Sequence, residues 1–325
     1  MRAVVITEFG DPDVLRVQRV PRPEPGPCEV RVQVSTSGIN RADLLQRMGR
    51  YPVPPGWPED IPGLEFAGVV EAVGAGVESV SEGDPVMGIL GGGGYAEYVV
   101  SHENTLVPIP STLSLEEAGA VPEVFMTAFD AVFLQEGLRA GETLLVHAVG
   151  SGVGTAALQM AVAAGARVIG TSRTPEKLER ARALGLEHAV VGAEGWPDAV
   201  MELTDGKGAD VILDLVGGPY LEGNQKVLAV LGRHVVVGVP GGPEAQINLR
   251  ALMGRRGSIR GTVLRARPLA EKTDLARAFI ERVCPLFEQG RAQPVIDRVL
   301  APEHAPEAHR LVAENRNFGK VLLKW

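Results

Sequence analysis

Residues 147–157, HAVGSGVGTAA, carry the densest chemical signal in the chain. Gly150, Gly152 and Gly154 lack a Cβ, so the chain can turn tightly there. An anionic group can then come close to backbone N–H groups at the start of a helix, where the helix dipole also favours negative charge. The loop follows the apolar run ETLLVHA (142–148) and opens the small-residue stretch VGTAALQMAVAAG (153–165). That strand–loop–helix context turns a glycine cluster into a dinucleotide signal. The spacing departs from GxGxxG and reads AxxSGVG, with Ala148, Ser151 and Gly154 at the key steps. Gly150, Ser151, Gly152, Val153 and Gly154 are therefore the expected pyrophosphate contacts.

The next strand bears on which dinucleotide is bound. Sites for NAD place an Asp or Glu about 20 residues on, to bond the ribose 2′-hydroxyl. Here the strand ends Gly170-Thr171-Ser172-Arg173, with Lys177 one turn into the following helix. A hydroxyl and two cations suit a 2′-phosphate, and a guanidinium can grip it with two parallel bonds. Ser172, Arg173 and Lys177 thus predict NADPH as the cofactor.

Further groups could take part in the reaction. Tyr51 ends the RMGRY segment, just before the loop PVPPGWPEDIPG (52–63), and could stack on a planar substrate. Asn40 could hydrogen-bond a substrate oxygen or a ribose, and Asp43 could tie down a helix start. Gly238, Val239 and Pro240 follow a strand at its carboxyl end, where ligands bind in parallel sheets. The six histidines (His102, His147, His188, His234, His304 and His309) form no His-x-x-x-His pair, and Cys28 and Cys284 form no metal-spaced cluster.

Two kinds of region must position these groups. Up to about residue 112 the chain reads as short strands broken by Gly and Pro: EVRVQVS (29–35) alternates apolar and polar, and LEFAGVVEAV (64–73) and YAEYVV (95–100) continue the pattern. Ser114 and Glu117 form a capping-box signal. From about 141, strand and helix alternate. The strands are 142–148, 166–171, 188–191, 209–216 and 232–239, with a sixth at 257–263. One helix starts at Thr174-Pro175 and ends at Gly185. This is the rhythm of a doubly wound parallel sheet. A helix over 270–289, a strand over 295–300, a helix over 303–313 and a last strand, KVLLKW, close the chain.

The chain has 325 residues, enough for two domains, with 45% hydrophobic residues and a net charge of −8. An acidic surface repels phosphate backbones, so nucleic acid is not an expected partner. No apolar run approaches the length of a membrane span, and the N-terminus reads as a strand, so a soluble, cytoplasmic protein without membrane partners is expected.

Several motifs together resemble one family. They are SGINRADLLQRMGRYPVPPG (37–56), IPGLEFAGVV (61–70), VPEVFMTAFDAVF (121–133), the SGVG loop and NFGKVLL (317–323). Over essentially its whole length the chain resembles the zinc-free quinone oxidoreductase, or zeta-crystallin-like, branch of the medium-chain dehydrogenase/reductase superfamily. The resemblance implies an α/β fold in which a Rossmann doubly wound parallel sheet (119–264) is inserted into a GroES-like β-rich catalytic domain (1–118 and 265–325). It implies that Thr127 lies near the nicotinamide carboxamide and that Asn317 closes over the cofactor. It also implies a homodimer or homotetramer, with GSIRGTV pairing across a two-fold axis. Zinc-dependent relatives have Cys where this chain has Asn40 and His where it has Leu64, and their four-cysteine lobe is missing here. Glu65 alone cannot hold a catalytic zinc, so no metal is expected. NADPH-using relatives place a tyrosine after the third Rossmann strand, and the segment here, HAVVGAEGW, has none.

These readings converge on an NADPH-dependent, zinc-free quinone oxidoreductase. Its expected catalytic residues are Tyr51, Ser151 and Asn40, and its substrate a small quinone or enone. One alternative is an enoyl or alkenal double-bond reductase, with Tyr51 as proton donor. Another, of a different class, is a non-catalytic NADPH-binding structural or RNA-binding protein.

Overall fold

The alternating stretch that begins at Glu29 becomes the longest strand of its sheet because its apolar residues face one core while its ends pair with different partners. The computed structural model describes residues 1–192 and 194–325; Ala193, inside the segment HAVVGAEGW, lies outside the described residues. In chain order the strands are β1 (Arg2–Ile6), β2 (Leu15–Arg19), β3 (Glu29–Gly38), β4 (Glu65–Val73), β5 (Pro85–Ile89), β6 (Tyr98–His102), β7 (Leu106–Pro108), β8 (Thr143–Val146), β9 (Arg167–Ser172), β10 (His188–Val191), β11 (Ala209–Asp214), β12 (Leu228–Val236), β13 (Ser258–Gly261), β14 (Ile296–Leu300) and β15 (Lys320–Lys324).

Packing divides the chain into two compact units. One comprises Met1–Met126, Leu264–Gly290 and Pro294–Trp325; the other comprises Thr127–Val263 and Arg291–Gln293. The first handover falls inside a single helix, Pro122–Phe129, which continues as a π-helical turn over Asp130–Gln135.

The first unit is the GroES-like domain. Its seven-stranded sheet runs β14-β15-β3-β4-β5-β7, with β6 also on β3. The start of β3 pairs with β6 and its end with β15, which brings the C-terminal strand against Thr36–Gly38. Val30, Val32, Val34, Phe66, Val70, Val86 and Val99 share its core. The predicted strand over 95–100 begins only at Tyr98. Tyr95 is held out of the ladder because its N–H bonds Pro62 O and its ring is fully buried. The predicted helix over 270–289 is two, Leu269–Arg282 and Cys284–Glu288. Pro285 has no N–H to continue the first.

The second unit is the Rossmann domain. Its six strands lie in the order β10-β9-β8-β11-β12-β13, all parallel. The order reverses between β8 and β11, the switch point at which such sheets bind ligands. Among the described residues no helix is long and apolar enough to cross a membrane.

Candidate active site

In the Rossmann unit, β8 feeds the glycine loop and the loop opens the helix Gly152–Ala163, with Ser151 as its N-cap. Ser151 Oγ accepts the Gly154 N–H at 3.1 Å. That leaves the N–H groups of Gly152 and Val153 for an anion. The turn does not use its glycines quite as the sequence suggests. Its left-handed residue is Ala148, at φ 51°. Gly154 is needed for a different reason: a Cβ there would stand 2.5 Å from Ala148 O and 2.8 Å from Val149.

The end of β9 presents Ser172, buried, with its Oγ accepting the Thr174 N–H at 3.2 Å. Arg173 is exposed, and Lys177 lies in the helix Pro175–Arg182. A tyrosine reaches this corner by a route the sequence did not reveal. Tyr220, from the turn after β11, donates its hydroxyl to Gly192 O at 3.2 Å, and Gly192 N–H bonds Ser172 O at 2.8 Å. Burial raises the Tyr220 phenol's pKa, and the Arg173 guanidinium pulls it back down. The Tyr220 ring is held by stacking on Trp196 and by the edge of His147. Gly238, Val239 and Pro240 follow β12 at its carboxyl end, and Val239 is exposed.

Behind the loop lies a closed polar network. His147 shares hydrogen bonds with Thr171 Oγ1 (2.9 Å) and Asn224 Oδ1 (2.6 Å). Asn224 Nδ2 donates to Asp214 Oδ2 at 3.0 Å, which also lies 3.1 Å from His234 Nε2. Asp214 Oδ1 accepts the N–H groups of Val216 and Gly217. Burial holds His147 neutral, its pKa lowered to about 4.

In the GroES-like unit, Lys320 and Glu65 form a fully buried ion pair at 2.6 Å. Lys320 Nζ also donates to Ile39 O and to Asn40 Oδ1 (2.7 Å), and Asn40 Nδ2 donates to Glu65 Oε1 (2.8 Å). Both ends of the Asn40 amide are therefore engaged inside the protein. A Cβ on Gly38 would collide with this pair. Asp43 ties down the helix start, accepting the Asn40 N–H at 2.7 Å, and also binds Gly63 N–H and the Tyr95 hydroxyl. Burial raises its pKa to about 6.

Glu65 Oε2 accepts the Glu123 N–H at 2.8 Å. The half-buried Glu123 carboxyl has its pKa pushed up to about 8, first by burial and then by the Glu65 charge. Arg265, 4% exposed, stands with its guanidinium carbon 5.0 Å from the Tyr51 ring centre. Its Nε donates to Gly91 O (2.7 Å) and its Nη2 to Gln46 Oε1 (2.6 Å). Its buried Nη1 has no hydrogen-bond partner among the described residues. Burial and the Glu123 charge raise the Tyr51 phenol's pKa, and Arg265 opposes them.

Thr127 is buried in the helix Pro122–Phe129. Asn317 is folded back, with its Nδ2 on Gly319 O at 2.7 Å. The structure thus groups Gly150–Gly154 in one loop and sets Tyr51 beside Arg265. Glu123, Lys320 and Arg265 carried no signal as isolated residues in the sequence. Among the described residues, no three His, Cys, Asp or Glu side chains stand together as a metal site. The residues at the zinc position do not fit zinc either: Leu64 offers no donor atom, and Glu65 is neutralised by Lys320.

Residues 26–111 match the family described as Alcohol dehydrogenase GroES-like domain, and residues 152–282 match Zinc-binding dehydrogenase. The chain is 34% identical to the quinone oxidoreductase of Rattus norvegicus, covering 99% of this chain and 97% of that protein. It superimposes on the crystal structure of an NAD-dependent alcohol dehydrogenase with a TM-score of 0.90, at 39% identity and full coverage of both chains. The CurK enoyl reductase is similar at TM-score 0.88 and 26% identity, over 99% of this chain and 98% of that one.

Proposed function

The chain belongs to the quinone oxidoreductase branch of the medium-chain dehydrogenase/reductase superfamily, and from that premise we propose that it uses NADPH to reduce quinones or related conjugated carbonyl compounds without zinc. The observation that carries the cofactor half is the end of β9. It offers the Ser172 hydroxyl, the exposed Arg173 guanidinium and Lys177, with no carboxylate to receive a ribose 2′-hydroxyl and with the Tyr220 hydroxyl alongside. The substrate half rests on the likeness to quinone oxidoreductases and on the half-buried Tyr51 ring.

The bound nicotinamide supplies hydride chemistry; the chain supplies position and charge. Gly150, Gly152, Val153 and the Ser151-capped helix start hold the pyrophosphate. Thr127 is the carboxamide contact, and Gly238–Pro240 and Asn317 border the cofactor. Tyr51 gives a planar acceptor a face to stack on. Asn40 works at one remove, fixing the Lys320–Glu65 pair beneath the site. Without a Lewis acid to form an alkoxide, alcohol oxidation is disfavoured, and an acceptor that is already electrophilic is the better substrate. The chain is cytoplasmic in this reading. It works as a homodimer or homotetramer through β13, an edge strand with Ser258, Arg260 and Gly261 exposed. Reduction of an enoyl double bond is the second reading, favoured by the likeness to CurK.

The test is Arg173→Ala. The NADPH dissociation constant rises about tenfold while that for NADH stays within about twofold, as loss of one charge-assisted phosphate contact requires. Equal loss for both cofactors would refute the 2′-phosphate assignment. Turnover of a 2-enoyl thioester with no turnover of any quinone would favour the second reading.

A further inference from the structure

Arg265 is a buried cation with one arm left open. Two of its nitrogens are spent on Gly91 O and Gln46 Oε1, and these bonds fix the guanidinium plane. The third, Nη1, is buried without a partner among the described residues. An unmade bond on a buried charged group is costly, so a position that tolerates one is a candidate for a bond made to a ligand. The ligand's character follows from the neighbours. The Tyr51 ring, 5.0 Å away, offers a flat face.

We propose that Arg265 holds the oxygen of a planar conjugated acceptor stacked on Tyr51. This rests on the reading of the chain as a quinone or enone reductase. The acceptor, reduced by two electrons as it takes a hydride from the reduced dinucleotide, moves its C=O π pair onto oxygen, where Nη1 meets the growing negative charge. An O–H bond of water then breaks and an O–H bond forms on the acceptor oxygen, the hydroxide passing to the buffer.

The probe is 4-nitrophenol, a planar phenol whose visible band marks its anion. It is titrated into the full chain without cofactor. The native chain binds it as the anion at neutral pH. Arg265→Met weakens binding about tenfold and returns the bound dye to the neutral form, and Arg265→Lys falls between. Binding of the neutral dye by the native chain would overturn the assignment even if Arg265→Met failed to fold. In cofactor-supported turnover, Arg265→Met lowers kcat about a hundredfold, the loss expected when one donor to a developing oxyanion is removed. A native kcat in that variant would overturn the role of Arg265. Native turnover of no quinone or enone would sink the underlying reading. Native turnover, with Arg265→Met binding the dye as the native chain does, would sink this inference alone.

Discussion

The polar network around His147 closes on itself, whereas the one around Glu65 and Arg265 does not. In the Rossmann unit every polar side-chain atom of His147, Asn224 and Asp214 has a partner. Such a network rigidifies the ends of β8 and β11 and leaves nothing over for chemistry. In the GroES-like unit the Lys320–Glu65–Asn40 cluster is just as well satisfied. Beside it, though, stand a guanidinium with one nitrogen unpartnered among the described residues and a carboxyl with a raised proton affinity. Burial is common to both regions, so burial does not mark function. What marks it is polar capacity that is buried and left unspent.

The strongest test of that distinction is Lys320→Met, which strands the fully buried Glu65 charge. Breaking such a pair from one side costs about 3–5 kcal/mol, read as a lowered urea midpoint. A milder loss is expected from Asn224→Leu, about 1–3 kcal/mol, because it unpairs His147 Nε2 and removes one donor from the Asp214 carboxylate, which keeps the Val216 and Gly217 N–H groups. Its kcat per folded molecule stays within about twofold of the native value, since a closed network does not enter the chemistry. A large fall in kcat with unchanged stability would reverse the roles of the two regions.

A further test sharpens the contrast through pH. Glu123 has its pKa raised from 4.5 to about 8 on folding. The native state therefore holds its proton where the unfolded chain has lost it, and this contribution to stability disappears as pH rises through that window. His147 has its pKa lowered from 6.5 to about 4. There the unfolded chain binds the extra proton, so its contribution is lost as pH falls through that window. Glu123→Gln should flatten the alkaline side of the stability profile and His147→Gln the acid side. Denaturant midpoints across the pH range check both, and matching profiles for the two variants would contradict the assignment.

The glycine loop was legible because its requirements are local: strand, tight turn and helix start lie within a few residues. The alternation of strand and helix was legible for the same reason. The open site was not, because its properties come from distant partners. Lys320 sits in KVLLKW like a polar residue near a chain end, yet it is buried by contact with Glu65, 255 residues away in sequence. Glu123 lies inside VPEVFMTA, and nothing local announces that burial and Glu65 will hold its proton. Asn40 read as a spare amide, and Lys320 and Glu65 take up both of its ends. Tyr220 shows the same limit, since a tyrosine sought after β10 arrives from the turn after β11.

The central claim is best tested by steady-state oxidation of NADPH by a small quinone, using chain dialysed against a strong chelator. Turnover that persists after dialysis and is unaffected by added zinc is the predicted result. Turnover that appears only when zinc is restored, or no quinone turnover under either condition, would contradict it.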